Sequence, residues 1–133
     1  MNVGEDTMSA SSYEQELKER DFRQKEWEAV VSAAVSDIER TLLKNHSGFH
    51  HTTFFGAMGI DPKHLAIWCF FTKDRDLKNA EDENFTGEIQ QATREALRKH
   101  GYPGNLTPSV AVSFATDEEV QRTCGGNYWL FLK

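Results

Sequence analysis

From Ser12 to about Asn45 apolar side chains recur at three- and four-residue intervals. Trp27, Val30, Val31, Ala34, Val35, Ile38 and Leu42 fall on one stripe, the period of an amphipathic helix. The front of this stretch, "EQELKERDFRQKEWE", is far more charged. It reads as a helical extension projecting from the body, supported by i,i+4 ion pairs worth only about 0.2–0.5 kcal/mol each. Residues 1–11 are small and polar and read as a disordered tail, leaving 12–133 as a single domain.

The period then changes. "KNHSGFHHTTFFGAMG", 44–59, holds three of the chain's five histidines. Gly48 is placed to end the helix, and His46 sits in its last turn, where a cation suits the dipole. "FHHTTFFGAM" is aromatic and β-branched, a strand, and "HLAIWCFFT", 64–72, is a second. The "DPKH" between them suits a turn, so the two form an antiparallel hairpin. Thr72 or Asp74 is placed to cap a helix running to about His100. Its apolar face is Phe85, Ile89, Ala92, Ala96 and Leu97, and Asn84 and Gly87 favour a break near 82–86. "GYPGNLTP" is a loop and "SVAVSFA", 109–115, a third strand. "TDEEVQRTCGG" is a short helix capped by Thr116 or Asp117 and stopped by Gly125, and "NYWLFLK" reads as a fourth strand. The predicted fold is α+β: two layers, a four-stranded mostly antiparallel sheet and two main helices, in the order α-β-β-α-β-(short α)-β.

The strands are apolar on both sides. Leu65, Ile67, Cys69 and Phe71 alternate with Ala66, Trp68 and Phe70, and Tyr128, Leu130 and Leu132 alternate with Trp129 and Phe131. A solvated antiparallel sheet should alternate apolar with polar. In a two-layer domain the helices cover one face, so a second cover is needed for Trp68, Phe70, Trp129 and Phe131. One helix on each face would supply it, as would another copy of the chain, or a different protein or an apolar ligand; symmetric dimers are the commonest oligomers, so a homodimer through this aromatic face, or a different protein partner, is expected.

Charge narrows the partners. Fifteen basic against twenty-one acidic side chains leave a net charge of −6, which disfavours nucleic acid as a partner. No stretch approaches the ~20 apolar residues of a membrane span, and no signal-like start or C-x-x-C pair is present, which together point to the cytoplasm.

The candidate chemistry is sparse. His50 and His51, as neighbours in a strand, should point to opposite faces and fail to share a metal ion, so neither metal nor cofactor is expected. Cys124 lies at a helix C-terminus, where the dipole disfavours a thiolate, and Cys69 reads as core. The paired acids, Asp74 with Asp76 and Asp117 with Glu118 and Glu119, fall in helix first turns, where acids have a structural reason to be. No catalytic residue is assigned. The resulting reading is a non-catalytic, acidic protein-binding module. In size, charge and element order it is loosely similar to bacterial secretion chaperones and to toxin-neutralising immunity proteins. The alternative is a small enzyme or ligand-binding protein with a pocket near His50, His51, His64, Tyr102 and the 101–108 loop.

Overall fold

The computed structural model describes the backbone of residues 2–133 and the side chains of residues 11–133. Of the tail expected at 1–11, the side chains of residues 1–10 lie outside the described residues. Helix α1 (Asn2–Ile38) ends in a π-helical turn, Glu39–Leu43, closed by Lys44 N–H donating to Glu39 O at 2.7 Å. Every described side chain from Ser11 to Glu19 is exposed, and burial on the stripe begins further along, with Val31, Ala34, Val35 and Ile38 in the core. The helix meets the body at Gln24. Its side-chain amide donates to Gly56 O at 2.9 Å and accepts from Gly59 N at 2.7 Å. Gly59 makes this approach possible, because a Cβ there would lie 2.2 Å from Arg20 O.

Strands β1 (Phe49–Phe55) and β2 (Ala66–Phe71) form the expected antiparallel hairpin. Asp61 caps the turn between them, accepting from Lys63 N at 2.9 Å. Helices α2 (Asp74–Asp82) and α3 (Phe85–Lys99) follow, separated by Asn84 in the left-handed conformation (φ 59°), within the expected break. They carry the chain back past the sheet, so β3 (Ala111–Thr116) joins β2 parallel to it, Ile67 opposite Val112 and Phe71 opposite Thr116. The sheet is therefore mixed and three-stranded, in the order β1-β2-β3, and not the four-stranded, mostly antiparallel sheet expected. The physical reason is the long helical crossover, which returns the chain to the starting end and so permits parallel pairing.

The expected fourth strand is a helix. After α4 (Asp117–Cys124), Gly125 and Gly126 both take positive φ, 59° and 88°, and turn the chain back. Asn127 then caps α5 (Tyr128–Leu132), its side-chain oxygen accepting from Leu130 N at 3.1 Å. Among the described residues there are five α-helices, on both faces of the sheet. Ile67, Cys69, Phe71 and Val112 pack on one side with Val31, Ala34, Ile38, Ile89 and Leu97. Phe70 and Ala115 pack on the other with Val120, and with Trp68, Tyr128, Phe131 and Leu132 around them. The two-layer expectation is corrected accordingly: the chain's own C-terminal helices cover part of the aromatic face. β2, the central strand, is apolar on both sides because both sides are covered.

Candidate functional site

The histidines come together through a backbone irregularity. β1 pairs Phe49 with Phe71 and then His51 with Phe70, so His50 is the extra residue of a β-bulge. The bulge breaks the strict alternation expected of neighbours. His50 Nδ1 and His51 Nδ1 lie 2.6 Å apart, close enough for one ring to donate its proton to the other. His51 is fixed from behind, its ring nearly parallel to Phe70 at 4.7 Å and edge-on to Tyr128 at 5.0 Å. Burial, followed by the neighbouring His50, holds the His51 pKa below the usual histidine range, against the opposing pull of Asp117 and Glu39. Tyr128 donates its hydroxyl to Asp117 Oδ1 at 2.6 Å, and burial with this bond raises its pKa. The two rings are thus joined by one hydrogen bond at the bulge. Among the described residues no group of three or more His, Cys, Asp or Glu side chains is placed to hold a metal ion.

His64 and Tyr102 lie at the other end of the hairpin. His64 is exposed in the turn leading into β2. Tyr102 is buried, its hydroxyl donating to Pro62 O and its ring edge-on to Trp27 at 5.2 Å, and burial pushes its pKa up to about 12. The four residues of the pocket reading thus fall into two groups, separated by the length of β1. His46 caps the turn after α1, where its Nδ1 accepts from Gly48 N at 3.3 Å and its ring stacks on Phe85 at 4.6 Å.

The aromatic quartet is divided too. Phe70 is fully buried, and Trp68 and Phe131 are half-buried, with the Phe131 ring 5.9 Å from Trp68 and 6.2 Å from Phe70. Trp129 leaves the group and is 75 % exposed, beside Leu130 at 54 %. A cleft of about 390 Å3 opens there, lined by Thr53, Phe54, Phe55, Trp129, Leu132 and Lys133. Phe55 is itself 43 % exposed. Phe55 and Leu130 were not singled out by sequence reasoning. Asn127 followed by "YWL", directly after "GG", was the available signal: an N-cap before an apolar run.

Polar groups at the starts of α2 and α4 form caps and an ion pair. Thr116 caps α4, its hydroxyl accepting from Glu119 N at 3.0 Å. The start of α2 has no cap from Thr72 or Asp74. Instead Glu118 of α4 accepts from Asp74 N at 2.8 Å, while the Asp74 carboxylate accepts from Thr116 at 2.5 Å and from Arg122 at 2.8 Å. These two bonds hold Asp74 below its ordinary carboxylate value. The acids at the start of α2 and α4 thus tie two helix ends together across the parallel strand pair. Cys124 ends α4, where Thr123 Oγ1 donates to Glu119 O at 2.7 Å and lies 3.6 Å from the Cys124 sulfur, and burial pushes the Cys69 thiol up to about 12. Comparison with family models, with curated proteins and with solved structures finds no match for this chain.

Proposed function

We propose that the protein is a non-catalytic protein-binding module, docking its partner through the apolar surface formed by Trp129, Leu130 and Phe55. The observation that carries this reading is the exposure of Trp129 at the mouth of a largely apolar cleft. A large exposed aromatic next to an apolar cleft matches the buried anchors that dominate protein–protein interfaces. The homodimer expected from the aromatic face would have to use this surface instead, because Phe70 is sealed by its own chain.

The test is a photo-crosslinking amino acid at position 129, compared with the same group at Glu95, an exposed position on α3. A discrete crosslinked species at 129 and none at 95 is the expected result, and a species of twice the chain's mass would identify a second copy. Equal crosslinking at both positions, or none at 129, would contradict the reading.

A further inference from the structure

The two edges of the sheet are treated differently. Side chains of α3 reach the backbone at the start of the β3 edge: Gln90 Nε2 donates to Val112 O at 3.1 Å, and Arg94 donates to Val110 O, just before β3, at 3.1 and 3.4 Å. Among the described residues no such bond reaches the backbone of β1 from His50 to Phe55 outside its pairing with β2. The strand "FHHTTFF" contains no proline, lysine or acid, the residues that blunt exposed edges. Its bulge at His50 blunts one end and leaves Thr52–Phe55 open.

That edge is also flanked by open clefts. The apolar cleft at Phe55 and Trp129 flanks it on the α5 side. On the α1 side a second void of about 280 Å3 is lined by Ser32, Ser36, Glu39 and Thr52. Each void takes in consecutive residues of β1, 53–55 in one and 52–54 in the other, so each opens on the strand's edge and not on one face alone. A third, shallow cleft, lined by Ser36, Glu39, Arg40, Lys44 and Phe49, lies past the bulge. A strand lying there would send alternate side chains to an apolar wall and to a polar one.

The charges select the occupant. With Arg40 paired to Asp37, Lys44 and Lys133 line these clefts against the carboxylate Glu39, a small basic excess on a chain of net charge −6. Lys44 and Lys133, at opposite ends, enter no ion pair among the described residues. A second copy pairing β1 with β1 about a two-fold axis would set the Lys44 end of one against the Lys133 end of the other, an unfavourable match of like charge.

We infer that the outer edge of β1 is a strand-addition site for an extended peptide segment of another protein, apolar at alternate positions, uncharged at its centre and flanked by acidic residues. The inference rests on the protein-binding reading and deepens it.

The probe is a displayed library of random twelve-residue peptides panned against the full chain. Enriched sequences should place apolar residues at every second position and Asp or Glu at the flanks. The Lys44→Glu, Lys133→Glu double variant, altered only at exposed positions, should enrich basic flanks instead. A synthetic enriched peptide N-methylated at alternate backbone nitrogens should bind about tenfold more weakly, since it cannot pair as a strand. Enrichment at helical spacing, indifference to the charge reversal, or unchanged binding after N-methylation would overturn strand addition. So would a failure to enrich any peptide, including one accompanied by a dimer whose β1 edge is occupied by the second copy. Peptides that ignore N-methylation but are lost on Trp129→Ser would leave the protein-binding reading standing while the strand mode falls.

Discussion

The ring of His51 lies 4.7 Å from that of Phe70, within 10° of parallel, and thereby ties the bulged edge strand to the second core beneath α5. One imidazole is therefore both a partner to His50 and part of the packing that covers the aromatic face. Its depressed pKa gives the contact a pH dependence. The folded state keeps His51 neutral, whereas the unfolded chain binds a proton near the ordinary value of about 6.5. Stability is therefore complete above that value and falls as the pH drops through it towards the lower folded pKa. Urea midpoints should be lower at pH 5 than at pH 8, and His51→Phe should narrow the difference. An unchanged difference in the variant would assign the pH effect to other groups.

Phe70 and Trp129 should separate cleanly in stability. Phe70 is fully buried between β1, β3 and α5, and Phe70→Ala should cost about 3–5 kcal/mol. Trp129→Ser, at a side chain three-quarters exposed, should stay within about 0.5 kcal/mol. Denaturant unfolding of both variants decides this. A large loss for Trp129→Ser would mean that Trp129 supports the fold and is not a free docking anchor.

Asn127 is the residue that makes the last segment a helix. Replacing it with Ala removes the oxygen that accepts from Leu130 N and should cost about 1 kcal/mol. The loss should appear first as faster amide exchange in Tyr128–Leu132, with β2 unaffected. Equal loosening of both would indicate that α5 has no separate role in covering Phe70.

The two cysteines should differ in reactivity. Cys69 is buried in the central strand with its thiol raised to about 12, so native protein at pH 8 should expose one reactive thiol per chain, Cys124. Titration with an aromatic disulfide reagent before and after unfolding reads the count directly. Two thiols reacting rapidly in the native state would contradict the packing around β2.

Local signals were legible where one residue decides the local structure. Thr116 and Gly125 bound α4 as their chemistry requires, Asn84 breaks the second helical region, and the hairpin closes over Asp61. The misreadings share a different cause. "NYWLFLK" has the composition of a strand, but with Asn127 placed to cap, it folds as a helix onto Phe70. Likewise the His50 bulge is set by register against β2 and the missing α2 cap is supplied by Glu118, 44 residues away. Neither could be read from neighbouring residues. The candidate surface shares this origin: Trp129 stood out as aromatic, but its separation from Trp68, Phe70 and Phe131 follows from α5 being a helix.

The most direct test of the account is hydrogen exchange at single-amide resolution along β1 in the free protein. In an edge strand with one open side, alternate backbone amides have no partner. Among Thr52–Phe55 the account predicts amides that exchange at near-solvent rates interleaved with protected ones, while β2 stays protected throughout. Uniform protection of Thr52–Phe55 in a monomer would show that the chain already closes this edge, and would contradict an open docking surface at β1.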